Sequence, residues 1–303
     1  MHFALLGSSG FVGSEFGKQI RARGYRLTTI SRQECDIYDP TELSRILQFS
    51  RVDYLINSAG YTGKPNVDAA EKDKATCLAG NAVLPGIVGE ACNHVGIPWG
   101  HVSSGCIFTG RRSDGGGFTE TDIPNFTFRQ NNCSFYSGTK ALGEEVLTGS
   151  DNLYIWRLRI PFSNECSPRN YLTKVMKYER LLDAENSLSN LTEFVSAALD
   201  CFEKRLPFGV YNLTNPGSVT TRRVVELIRE SGVCRKDFDF FENETDFMAN
   251  AAMTPRSNCV LDSTKAISAG LKLTQIEDSL RESLSNWNKS EVISTSLEKT
   301  IDP

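Results

Sequence analysis

The chain has 303 residues, 40% of them hydrophobic and 23% charged, with a formal net charge of -4. That length and apolar share can fill the core of one large α/β domain with a smaller appendage, and they exclude extended disorder. Slight acidity without a run of Lys or Arg argues against a nucleic-acid partner, and with no membrane span or secretory leader legible the chain is read as cytoplasmic.

Phe3 to Leu6 is an apolar run ending at Gly7-Ser8-Ser9-Gly10-Phe11-Val12-Gly13, and Phe11 to Arg21 then carries helical spacing. Strand, glycine turn and helix in that order can cradle a dinucleotide. Glycines let the backbone approach a pyrophosphate, while a helix N-terminus offers free N–H groups and the positive end of its dipole. Gly7, Ser9, Gly10, Phe11, Val12 and Gly13 are therefore cofactor-binding candidates, an ordinary tight turn being the alternative. Arg26 to Ile30 reads as the second strand, whose end selects the cofactor. In place of an acid for a ribose 2′-hydroxyl it offers Ser31 and Arg32, a hydroxyl and a guanidinium suited to a 2′-phosphate. NADP(H) is favoured over NAD, although Glu34 and Asp36 lie close by.

Val52 to Asn57 reads as a buried strand running into Ser58, Ala59 and Gly60, small residues that permit close approach to the cofactor. A helix over Asn81 to Val95 and a strand over Trp99 to Ser104 continue the alternation. The pattern specifies an α/β fold, a Rossmann-type doubly wound parallel sheet. The nine cysteines come nowhere closer than Cys92 and Cys106, so no CxxC motif exists, and His2, His94 and His101 are dispersed. No metal site is expected, and the thiols read as reduced and mostly buried. Thr109 to Ser134 contains no convincing element; a loop of that length could close over a substrate, with Gly115 to Gly117 supplying mobility.

Phe135 to Leu147 reads as a helix that places Tyr136 and Lys140 on one face. Of the nine tyrosines, only Tyr136 has a lysine at the fourth following position, and Ser104 ends the strand upstream. A carbonyl reductase needs this set. The phenol can protonate the alkoxide that hydride transfer creates, the ammonium can lower the phenol pKa and hold the nicotinamide ribose, and the serine can orient the carbonyl. A surface helix pair is the alternative for Tyr136 and Lys140. Leu153 to Ile160 is a β-rich strand, after which the alternation breaks. Ser189 to Lys204 reads as an amphipathic helix, Gly209 to Leu213 as a strand, and Arg222 to Glu230 as a helix of a C-terminal lobe. The expected division is a dinucleotide-binding domain over 1–162, completed by 186–214, and a substrate lobe over 163–185 and 215–287. A polar tail over 288–303 is expected to fray.

From the glycine turn to about Trp287 the chain resembles the extended short-chain dehydrogenase/reductase superfamily. Ala59 to Asp68 ("AGYTGKPNVD"), Gly105 to Phe108, Pro124 to Thr127, Ser167 to Lys174 ("SPRNYLTK") and Thr214 to Gly217 are similar to the nucleotide-rhamnose synthase/epimerase-reductases. Thr254 to Asp262 ("TPRSNCVLD") is also similar to the substrate motif of dTDP-4-dehydrorhamnose reductases. The resemblance implies epimerisation at C3 and C5 of a nucleoside-diphosphate 4-keto-6-deoxyglucose, then NADPH reduction at C4 to the rhamnose nucleotide. Cys106 and Lys174 match the epimerase pair, and a thiol near Lys140 is expected to have a lowered pKa. Pro161 is expected beside the nicotinamide. Thr62, Gly63, Asn66, Ser104 and Asn170 are expected at the substrate, with Arg256 and Asn258 near its diphosphate, where a guanidinium can grip two oxygens.

Three other readings stay open: a reductase with Cys106 and Lys174 inert, a GDP-fucose-synthase-like enzyme, and a non-catalytic NADP-binding regulatory subunit. The last is similar to the β subunit of methionine adenosyltransferase, although a binding protein has no chemical reason to retain Ser104, Cys106, Tyr136, Lys140 and Lys174 together. "FRQNNC" before Ser134 looks longer than the family pattern, which leaves loop closure open. The nucleoside, whether UDP, dTDP or GDP, stays open too, and so does a homodimer through the helices Asn81 to Val95 and Tyr136 to Leu147.

Overall fold

Strands whose side chains are apolar on both faces build the centre of the molecule. The computed structural model describes residues 1–64 and 66–288. In β1 (His2–Leu6), Phe3 and Leu5 enter one core with Phe16 and Trp156, while Ala4 and Leu6 enter another with Leu43 and Val88. The remaining strands are β2 (Arg26–Ile30), β3 (Tyr54–Asn57), β4 (Trp99–Ser104), β5 (Leu153–Leu158) and β6 (Gly209–Asn212). They pair in parallel in the order β6-β5-β4-β3-β1-β2. Such a sheet must be covered on both faces, and the order reverses at β1, which opens a crevice at the strand C-termini.

The covering helices are α1 (Phe11–Ala22), α2 (Pro40–Ser50), α3 (Leu84–Val95), α4 (Phe135–Val146), α5 (Tyr171–Lys177), α6 (Leu191–Glu203), α7 (Thr221–Ser231) and α8 (Ile276–Ser285). Phe16 of α1 and Phe194 of α6 meet edge to face on the aromatic side of the sheet. Val88 and Cys92 of α3 pack with Leu43 and Leu47 of α2 on the other. The helix expected from Asn81 starts earlier, at Lys74, and passes through a π-helical turn over Ala79–Val83 before α3. Lys74–Val95 has the length and composition of a membrane span, yet Leu84, Val88, Ala91 and Cys92 are spent on the interior of the fold.

A second centre forms around Phe162, Leu172, Val175, Leu181, Val224, Ile228 and Leu280, drawn from α5, α7, α8 and their connections. The strand expected to reach Ile160 stops at Leu158, because Ile160 takes a positive φ of 37° and turns the chain toward the short pair Pro161–Phe162 and Ser189–Asn190. For a β-branched residue that conformation is strained.

The segment expected as a mobile glycine loop is pinned instead. Gly110 and Phe118 bridge to Cys259 and Leu261, with Phe118 N donating to Val260 O at 2.8 Å and Asp262 N to Phe118 O at 2.8 Å. Gly115 takes φ +83° in a tight turn, and a Cβ on Gly117 would lie 2.8 Å from the Asp262 amide. These glycines serve a turn and a close backbone approach rather than motion. Most of the tail expected over 288–303 lies outside the described residues.

Candidate functional site

Close approach dictates the glycines of the β1–α1 turn. A Cβ on Gly7 would stand 2.6 Å from the Ala59 amide nitrogen, and one on Gly13 only 2.0 Å from the Gly7 carbonyl oxygen. The Gly10 N-cap supplies no side-chain hydrogen bond to α1, so the amides around Phe11, Val12 and Gly13 are not capped from within, while Ser9 and Gly10 lie exposed. That cradle suits a pyrophosphate. The Ser58 hydroxyl donates to Leu6 O at 2.6 Å and holds the β3 end against the turn, and the Ala59 amide donates to Asn57 Oδ1 at 3.0 Å. At the β2 end, Ser31 donates through both its amide and its hydroxyl to Glu34, at 3.1 and 2.7 Å. These bonds hold the Glu34 carboxyl below its ordinary value. Ser31 is thus occupied within the chain, while Arg32 is exposed on a groove of about 310 Å³ that runs to Tyr38 and Glu42.

The reductase candidates converge at the C-terminal end of β4. Ser134 caps α4 by accepting from the Ser137 amide, and the next turn sets Tyr136 and Lys140 on the face toward β4. Lys140 is 6% exposed, and its Nζ donates to Val102 O at 3.3 Å. A Cβ on Gly60 would crowd Asn81 Oδ1 at 3.0 Å and lie in ordinary contact with the same Nζ at 3.6 Å. Ser104 ends β4 and its Oγ accepts from the Cys106 amide at 3.2 Å, while both the Tyr136 phenol and the Cys106 thiol face that hydroxyl. One serine hydroxyl therefore lies beside both the Tyr136 phenol and the Cys106 thiol.

Two electrostatic expectations are corrected. Burial raises Tyr136 strongly, with the nearby thiols of Cys106 and Cys77 adding to it and Ser104 and Arg159 only moderating the shift. Burial also pushes the Cys106 thiol up, with Ser104, Arg159, Ser137 and Lys140 opposing in that order, so Lys140 does not leave it lowered. In a dry pocket, the cost of stripping water from an anion outweighs one neighbouring cation. Lys140 itself is lowered by burial, and His101, bonded to Asn57 beneath the site, is held neutral for the same reason.

Lys174 lies on α5, half-buried, lowered by burial and by neighbouring Arg169; among the described residues it makes no ion pair. Asn170 is corrected from substrate contact to structural pin. It is fully buried, caps α5 through Leu172 N at 3.0 Å, and donates to Ser163 O at 2.8 Å and Glu165 O at 2.7 Å. Arg256 grips the Asp68 carboxylate with two 2.7 Å hydrogen bonds, which spends its fork on the loop that carries Thr62, Gly63 and Asn66. Within that loop Thr62 is exposed, Gly63 takes φ +68°, and Asn66 accepts from the Asp68 amide at 2.9 Å. Asn258 accepts from Asn186 Nδ2 at 3.2 Å and lines a separate groove with Asp183 and Arg222. Pro161 follows the strained Ile160 at the β5 end.

Sequence reasoning missed two residues. Asn81 sits in the π-helical turn, fully buried, and clamps the Tyr61 backbone from both sides: Tyr61 N to its Oδ1 at 2.9 Å, its Nδ2 to Tyr61 O at 3.0 Å. A polar residue inside the apolar run "LAGNAVLPG" was its only signal. Arg159, 6% exposed, lies under the Gly105–Cys106 turn and had no signal beyond a charge in a strand.

A family profile described as the RmlD substrate binding domain matches residues 1–289. The chain is 32% identical over 284 residues to a bifunctional dTDP-4-dehydrorhamnose 3,5-epimerase/dTDP-4-dehydrorhamnose reductase from Arabidopsis thaliana, covering 92% of this chain and 91% of that one. It is 30% identical over 285 residues to a trifunctional UDP-glucose 4,6-dehydratase/UDP-4-keto-6-deoxy-D-glucose 3,5-epimerase/UDP-4-keto-L-rhamnose-reductase from the same organism, covering 92% of this chain and 41% of that longer protein. The crystal structure of a UDP-rhamnose synthase from Acanthamoeba polyphaga mimivirus matches with a TM-score of 0.86 at 25% identity, covering 94% of this chain and 99% of that one.

Proposed function

Because the chain belongs to the RmlD substrate binding domain family, we propose that it is a bifunctional 3,5-epimerase/4-reductase that converts a nucleoside-diphosphate 4-keto-6-deoxyglucose to the rhamnose nucleotide with NADPH. It is an oxidoreductase of the extended short-chain dehydrogenase/reductase kind, like the curated epimerase/reductases it resembles. The observation that carries the reading is the convergence of Tyr136 and Cys106 on the single Ser104 hydroxyl, with Lys140 buried alongside.

The β1–α1 cradle, Ser58 to Gly60, Lys140 and the Arg32 groove would hold NADPH, which would supply the hydride for C4. The protein does the rest. A C4 ketone acidifies the hydrogens on C3 and C5, and an enolate formed there can be stabilised by the Ser104 and Tyr136 hydroxyls. Lys174, shifted down toward the neutral amine, suits removal of the proton; Cys106, shifted up toward the neutral thiol, suits its return to the opposite ring face. In the reduction, Tyr136 keeps its proton until the C4 alkoxide needs it, which its raised value favours.

The test is incubation with UDP-4-keto-6-deoxyglucose and NADPH in heavy water, with mass and NMR analysis of the sugar. Deuterium at both C3 and C5 of a rhamnose product is expected. Reduced sugar lacking it would leave a reductase alone, and no NADPH oxidation with any 4-keto sugar nucleotide would favour the regulatory-subunit reading.

A further inference from the structure

Two arginines leave β5 and meet opposite fates. Arg157 is neutralised by Glu144, which it grips through Nε at 3.1 Å and a second nitrogen at 2.7 Å. Arg159 is as deeply buried, yet among the described residues no carboxylate pairs with it. One guanidinium nitrogen donates to Asn186 Oδ1 at 2.5 Å and to the Ser257 carbonyl, and its buried Nε has no partner. A buried guanidinium with neutral partners is costly and calls for an anion that arises during function.

The surroundings say which anion. The Arg159 Cδ would lie 3.4 Å from a Cβ on Gly105, so its side chain runs directly under the turn that presents Cys106. Ser257 ties the same turn from below through Phe108 O at 2.6 Å, and Cys259 does so through Gly105 O at 3.2 Å. The charge of Arg159 acts on both Cys106 and Tyr136.

We propose that Arg159 is the electrostatic positioning residue of the epimerase step: it braces the Gly105–Cys106 turn and stabilises the Cys106 thiolate left when the thiol gives up its proton. In that step the S–H bond breaks, a C–H bond forms on the sugar ring, the electron pair stays on sulfur, and solvent later reprotonates the thiolate. The proposal rests on the epimerase reading above, but its first test does not.

That test is the thiolate titration of Cys106 in the substrate-free protein, read as the ultraviolet difference between each protein and its Cys106→Ser counterpart. Arg159→Gln removes the charge. Asn186→Asp leaves the arginine in place and neutralises it from a near-isosteric neighbour. Both are expected to raise the Cys106 midpoint by about one to two pH units, the order of effect a neighbouring opposite charge has, while Arg159→Lys stays near the parent. A midpoint unmoved by Asn186→Asp, or moved as far by Arg159→Lys as by Arg159→Gln, overturns the proposal. The Asn186→Asp comparison decides by itself if Arg159→Gln fails to fold. In heavy water, deuterium incorporation into the 4-keto sugar is expected to fall about tenfold or more in Asn186→Asp and to remain largely intact in Arg159→Lys. If the parent itself incorporates none, the epimerase reading fails while the titration still decides the charge role of Arg159.

Discussion

Tyr136 can donate a proton only while it holds one, and its burial against Cys106, Phe108 and Ala141 ensures that it does. Tyr136→Phe removes the donor with little change in packing, and kcat for NADPH oxidation at saturating 4-keto sugar is expected to fall by about 10²–10⁴. A fall of only a few-fold would show that another group protonates the alkoxide. The Arg256–Asp68 pair shows the other electrostatic regime. Burial raises the Asp68 carboxyl, but the hydrogen bonds and charge of Arg256, with the Met253 amide, outweigh it and hold Asp68 below its ordinary value. A depressed folded-state value means that the stability this pair confers is present above the unfolded carboxyl value, about 3.9. It is lost as pH falls through the folded one. Urea midpoints measured from neutral pH into the acid range should therefore fall less steeply for Asp68→Asn than for the parent.

At the scale of elements, the site depends on how α4 is fixed against the sheet. Glu144 lies one turn beyond Lys140, accepts from Ser103 Oγ at 2.5 Å, and receives the Arg157 fork from β5, so a single carboxylate joins α4, β4 and β5. The pair is nearly closed to solvent, with side chains 4% and 10% exposed. Glu144→Gln keeps the shape but leaves the guanidinium without its charge partner. A loss of stability of up to about 3–5 kcal/mol is expected in urea unfolding, the range for breaking a buried pair from one side. A change near zero would mean that the amide oxygen left at position 144 and the Phe108 ring, which the guanidinium covers at 5.1 Å, already satisfy Arg157.

At the scale of the whole molecule, the cores flanking the sheet and the core around Phe162 and Ile228 are joined by residues 257–262. That strap pairs with Gly110 and Phe118 on one side and with Asn186 and Ser187 on the other. Joined in this way, the expected lobes should unfold together. Tryptophan supplies the probes, since Trp99 and Trp156 lie in the sheet cores and Trp287 packs against the other. Equilibrium unfolding followed in Trp287→Phe and in the double variant Trp99→Phe/Trp156→Phe should show each probe changing in step with the backbone signal of its own variant. A probe that changes ahead of the backbone would mean that the lobe unfolds on its own.

The sequence by itself determined what depends on neighbours along the chain. Strand and helix periodicity set the order of elements, with Arg26 to Ile30 and Trp99 to Ser104 correct to the residue, and the glycine turn and the Tyr136–Lys140 spacing marked the candidate site. The tertiary structure decided whatever depends on desolvation and on contacts between distant segments. Cys106 and Tyr136 are shifted up rather than down because burial is a property of the assembled pocket. Asn170 is a pin because its loop closes around it, and Arg256 holds Asp68 because the chain returns to the β3 loop. Asn81 and Arg159 surfaced only in three dimensions, since neither a π-helical turn nor a buried cation without a carboxylate leaves a periodic trace in one dimension.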